Sequence, residues 1–231
     1  MSATRREFLG QLTTGAAMFG ALPVSVDLLA RQYDVGSHAP SRGSSAEEWD
    51  LTWVNKLTGK HKAIFDVPEV DSGYGVWRAS IWVNQYHEVL GIPERDLSPV
   101  IVLRHNGIAL AMQQAFWDKY GLGKSKDVKH PVTQQGTDRN PALLSSKRSE
   151  QPEMFDGFAL DKYLARGGIA LACNLALEEW ISLIKEKEKV SDEAARKQAI
   201  AALVPGVILQ PSGVFAALRA QEAGCVYLRA S

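Results

Sequence analysis

Three short runs constrain this chain more than anything else in it. Pro99 to His105 (PVIVLRH), Ile169 to Cys173 (IALAC) and Val207 to Gln210 (VILQ) are nearly continuous apolar stretches. A strand with one wet face alternates apolar and polar residues, so an unbroken run marks a strand covered on both faces. Strands of that kind belong to parallel sheets. Lys62 to Val67 (KAIFDV) and Cys225 to Leu228 add two more β-rich runs.

The segments between these runs have helical spacing. Ser72 to Leu90 ends at Gly91, Gly107 to Tyr120 ends at Gly121, and Leu160 to Ala165 is closed by Gly167-Gly168. Further helices are predicted at Leu175–Glu188, Asp192–Leu203 and Ser212–Ala223. Strands alternating with helices predict an α/β fold, a three-layer α/β/α sandwich on a mainly parallel five-stranded sheet. Of 231 residues, the span 61–231 then forms one domain and the span 31–60 a linker. Lys124 to Glu153 is polar and lacks an apolar period; so long a stretch is expected to be disordered, an oligomerisation arm or a lid.

The first thirty residues read as an export signal. Arg5-Arg6 with Phe8-Leu9, followed by a short apolar stretch broken by Gly, Thr and Gln, fits a twin-arginine signal. The stretch is shorter than the roughly 20 residues a membrane span needs. An amphipathic helix that happens to hold two arginines is the alternative. The expected location is the periplasm, reached through the twin-arginine translocase. No clean Ala-x-Ala step lies between Ala17 and Ala30, and a retained signal would tether the protein to the inner membrane.

Basic and acidic residues balance, 26 of each, and no segment hides a strongly basic face, so nucleic acid is not an expected partner. Two cysteines exclude a disulfide framework and a four-thiolate zinc site. G-x-G-x-x-G, P-loop and G-x-S-x-G motifs are all missing, so no cofactor is expected, and His87 and His130 have no ligand partner at useful spacing, so no metal is expected.

In an open parallel sheet, ligands bind at the carboxyl ends of the strands. That rule selects Arg104-His105-Asn106-Gly107, Cys173-Asn174 and Gln210-Pro211-Ser212-Gly213, each followed directly by a helix start with free N–H groups. Cys173 is the sharpest of these, because a helix N-terminus lowers a thiol's pKa; the alternative is a buried, inert cysteine. His105 either tunes a neighbouring group or caps local backbone. Ser212 reads as an N-cap rather than a nucleophile. Cys225, at the start of the last strand, reads as structural, too far from Cys173 for a bridge.

The sequence of these steps is familiar. His105-Asn106-Gly107, then Ile169 to Leu177 (IALACNLAL), Val204-Pro205-Gly206-Val207, Pro211-Ser212-Gly213-Val214 and Ala220 to Tyr227 (AQEAGCVY) together resemble the DsrE/DsrF-like family. The likeness runs from His61 to the C-terminus, apart from Lys124–Glu153. It implies a parallel α/β sandwich, a homo-oligomer, and in several members sulfur carried as a persulfide on a cysteine, a position that Cys173 matches. His105 and Asn174 would then orient the site, while Asn106, Gly107, Ser212 and Gly213 would hold the anion. The implied partners are a sulfur donor or acceptor protein. A module that binds a small anion or a partner protein without catalysis is the competing expectation.

Overall fold

The structure, a computed structural model, describes residues 49–231. The strands are β1 (His61–Val67), β2 (Leu97–Leu103), β3 (Ile169–Cys173), β4 (Ile208–Gln210) and β5 (Val226–Arg229). They form one sheet in the order β4-β3-β2-β1-β5, with every neighbouring pair parallel. The α-helices are α1 (Tyr74–Leu90), α2 (Gln114–Tyr120), α3 (Leu122–Ser125), α4 (Leu160–Ala165), α5 (Asn174–Glu188), α6 (Asp192–Ala201) and α7 (Gly213–Glu222). Helices flank both faces, which is the α/β sandwich expected from the apolar runs.

Side-chain alternation explains why the runs are apolar throughout. Phe65, Val67, Ile101, Leu103, Ala170 and Ala172 point to the front face, against Val76 and Trp77 of α1 and Leu177 and Trp180 of α5. Ile64, Val100, Val102, Ile169 and Leu171 point to the rear, against Ala216 and Ala220 of α7. The steps from β1 to β4 move one way along the sheet. The connection from β4 to β5 returns past three strands, so α7 takes the opposite face, as right-handed crossovers require. Its small residues let α7 lie close to the sheet. Gly91 ends α1 in the left-handed conformation, with φ of 66°.

Three expectations are corrected. Residues 52–60 are not linker: the 3-10 turn Thr52–Lys56 closes the rear core with a fully buried Trp53. Its indole N–H donates to Gln210 Oε1 at 3.1 Å, a tie that the sequence separation hides. Residues 31–48 and the export signal, including Arg5, Arg6, Phe8 and Leu9, lie outside the described residues.

The helix expected from Gly107 to Tyr120 is divided. His105–Ala111 is a 3-10 helix, Met112 and Gln113 are extended, and α2 starts at Gln114. The reason is tertiary. Buried Asn140 donates from its side-chain amide to the carbonyls of Leu110 (3.1 Å) and Met112 (2.7 Å), and Val204 N–H donates to Ala111 O at 2.8 Å. Those carbonyls leave the helical ladder because partners outside it claim them.

That asparagine belongs to the segment expected to be an arm, a lid or disorder. Residues 124–153 instead pack into the domain, with Val128, Asn140, Ala142 and Leu144 buried. Their polarity is used internally. Tyr74 donates to Pro131 O at 2.6 Å, Ala142 N–H to Asn140 Oδ1 at 2.9 Å, and Arg139 pairs with Glu150.

Candidate functional site at the carboxyl ends of the strands

All five strands point the same way, so their carboxyl ends share one rim. α5 leaves β3 over the front face and α7 leaves β4 over the rear. The neighbouring ends of β3 and β4 are therefore where successive connections part, the position at which open sheets leave a crevice. Cys173 and Gln210 are paired in register there.

Cys173 closes β3 and caps α5. The Ala176 N–H donates to its Sγ at 3.4 Å, and the residue is only 7% exposed. It occupies the position a serine or aspartate usually fills at a helix start. Leu103 pairs with Ala172, so Arg104 and Cys173 come next along β2 and β3, and alternation puts both on the rear face. A row Arg104–Cys173–Gln210 thus runs along the rear rim.

Arg104 is anchored. Its Nε donates to Asp66 Oδ1 at 2.7 Å and its Nη2 to Asp66 Oδ2 at 2.8 Å, a two-pronged pair on a carboxylate that is 1% exposed. The Tyr227 hydroxyl donates to the same Oδ2 at 2.6 Å. The bond to Asp66 pushes both the Arg104 guanidinium and the Tyr227 phenol above their ordinary values. Gly213, the first residue of α7, sits directly on Arg104: a Cβ there would come within 2.5 Å of the arginine side chain. Ser212 accepts the Phe215 N–H at 3.0 Å, the N-cap role expected of it.

The residues after β2 turn the other way. His105 has φ of 50° and is well exposed, with Nδ1 3.8 Å from Glu69 Oε1. Asn106 Nδ2 donates to Glu69 Oε2 at 2.8 Å, and Lys126 Nζ donates to Asn106 Oδ1 at 3.3 Å and to Glu179 at 2.7 Å. Gly107 holds no anion. Its N–H donates to Pro68 O at 2.9 Å, and a Cβ would fall 2.1 Å from Val67 O. Asn174 Oδ1 accepts from Arg196 at 2.9 Å. Among the described residues no hydrogen bond joins His105 to Cys173.

The structure therefore brings Cys173, Ser212 and Gly213 to the rear rim, with Asn174 beside Cys173 at the start of α5. It sets His105 and Asn106 in a polar network of their own. Asp66, Glu69 and Tyr227 were not singled out from sequence. An acidic residue inside an apolar run such as KAIFDV is a usable signal, because a strand covered on both faces must supply Asp66 with a partner. Cys225 is buried, and burial pushes its thiol up. Both cysteines are free, and β2 and β1 stand between their strands.

Among the described residues no cluster of three or more His, Cys, Asp or Glu could hold a metal ion, and no helix is long and apolar enough to cross a membrane. No protein-family model matches the chain, and a search of curated proteins returned no match. The likeness to the DsrE/DsrF-like family stands on the quoted residues alone.

Proposed function

We propose that this protein is an exported sulfur carrier that holds sulfane sulfur as a persulfide on Cys173. The observation that carries the reading is the thiol's place: at the parting of the β3 and β4 connections, capping α5, with a backbone N–H aimed at Sγ. A sulfur anion there receives that N–H and the positive end of a 15-residue helix. Arg104, next to it along the rim, is held in place by Asp66.

The step balances without an outside oxidant when the donor is a polysulfide. The thiol loses its proton to solvent, and the thiolate attacks a sulfane sulfur. The donor's S–S bond breaks as the new one forms, and the shortened polysulfide leaves with the electron pair.

The test is intact-mass analysis of the folded protein after inorganic polysulfide. The expected result is gain of one sulfur atom, lost on treatment with a reducing thiol and absent in Cys173→Ser. A folded protein whose Cys173 stays unmodified overturns the reading. Mass analysis of protein taken from its native compartment also reports whether the segment bearing Arg5 and Arg6 has been removed.

One observation favours a second reading, a module that binds a small anion or a partner without catalysis. Cys173 is 7% exposed and its sulfur is already engaged by Ala176. On that reading Cys173 resists alkylation in the native protein, reacts only on unfolding, and tolerates Cys173→Ser with no change in ligand affinity.

A further inference from the structure

The opposite end of the sheet holds a second candidate site, unconnected with the sulfur chemistry. Beneath the amino ends of β2 and β3 lies a cavity of about 130 Å³, bounded by α1, the start of β2 and the turn from α4 into β3. Ser80, Val83, Leu97, Pro99 and Ile169 line it, with Lys56, Glu94 and Arg166 also on its wall. A volume of that size holds several waters or a small organic molecule.

Two observations point to a ligand. The first is Ser80. It is 3% exposed, and among the described residues its hydroxyl has no hydrogen-bond partner. A serine inside a helix ordinarily bonds back to the carbonyl four residues earlier. Ser80 does not, and a buried hydroxyl without a partner is unfavourable until something supplies one. The second is the charge around the cavity. Lys56 and Arg166 are exposed cations: among the described residues the Lys56 ammonium makes no hydrogen bond or close ion pair and acts on Asp50 at longer range, and Arg166 makes one hydrogen bond, to Gly157 O at 2.8 Å. Two other polar lining groups are occupied: Ser98 Oγ accepts from Gly59 N at 2.9 Å, and the Tyr163 hydroxyl donates to Pro99 O at 2.8 Å.

We propose that this cavity binds a small monocarboxylate with a short apolar tail. The carboxylate meets Arg166 and Lys56 and receives the Ser80 hydroxyl, while the tail lies along Val83, Leu97, Pro99 and Ile169. A doubly charged anion fits less well, because Glu94 adds a negative charge to the same wall and apolar side chains form much of the rest. The glycine turn on the cavity wall packs closely against Tyr163. Gly167 takes φ of 87°, and a Cβ on Gly168 would sit 2.5 Å from the Tyr163 ring.

Titration of the full chain with butyrate, followed by amide NMR, tests this, with n-butyramide and inorganic phosphate as comparison probes. The expected result is saturable movement of the Ser80, Gly167 and Gly168 resonances by butyrate, with weaker binding of phosphate and none of butyramide. Arg166→Gln and Lys56→Gln each weaken butyrate about tenfold, the size of one lost charge-assisted hydrogen bond. Ser80→Ala weakens it at least about threefold, and Cys173→Ser leaves it unchanged. The proposal is overturned by absence of saturation, by butyramide or phosphate matching butyrate, or by unaltered affinity in the Arg166 and Ser80 variants.

Discussion

At the scale of single residues, the rim of the sheet is organised by one buried carboxylate. Asp66 is 1% exposed and takes three hydrogen bonds, two from Arg104 and one from Tyr227. Removing its charge leaves the guanidinium without a counterion in a partly desolvated place. Asp66→Asn is therefore expected to lower stability by about 2 kcal/mol, at the modest end for a broken buried pair because Arg104 keeps some solvent. Urea unfolding of the variant measures it; a change below about 0.5 kcal/mol would show that Arg104 and Tyr227 hold the rim without it. Gly107 is constrained by contact. A methyl group 2.1 Å from Val67 O cannot be accommodated without moving β1 or the 3-10 turn. Gly107→Ala is expected to cost about 3 kcal/mol, read as a fall in the denaturation midpoint.

At the scale of elements, Asn140 shows how a polar stretch becomes structural. Its side chain serves the carbonyls of Leu110 and Met112 and accepts from Ala142 N–H. Asn140→Ala strands both carbonyls in the core, so a loss of about 2–3 kcal/mol is expected. Hydrogen exchange should rise first across residues 105–113; uniform exchange with unchanged stability would contradict this. The strands were legible in the sequence because burial on both faces writes itself into runs such as IALAC, and helix ends were legible because Gly91 and Gly121 adopt positive φ. The break in the helix at residues 112–113 was not, since its cause lies 28 and 30 positions away. The same holds for the rim. The list of strand-end residues found Cys173 and Ser212, but Asp66 acquires its meaning from Arg104, 38 positions on, and Tyr227, 161 positions on.

For the whole molecule, proton linkage gives a directional expectation. Burial raises the Tyr163 phenol well above the ordinary 10.0 and the Cys225 thiol above 9.0, and Asp66 raises Tyr227. Groups raised in the folded state hold their protons more tightly than in the unfolded chain. Their contribution is whole below the ordinary values and is lost as pH climbs toward the folded ones. Stability should therefore fall as pH rises beyond about 9–10, and Tyr163→Phe should flatten that fall. Tyr163→Phe also loses the donor to Pro99 O, so it starts about 1 kcal/mol lower at neutral pH. Denaturant midpoints from pH 7 to 11 measure both effects; an unchanged alkaline slope in the variant would remove Tyr163 as its cause.

The strand order has a consequence for how the chain reaches this state. Among the described strands β1 is made first, yet its outer edge is filled only by β5, whose Tyr227 lies 161 positions beyond Asp66. During synthesis β2, β3 and β4 can all be added to the inner edge while the outer one stays bare. The residues of β5 thus act as a latch. Until β5 has been made, the nascent chain presents an open β edge and an acid without its phenol, the condition in which holding chaperones are most needed and strand-to-strand aggregation is fastest.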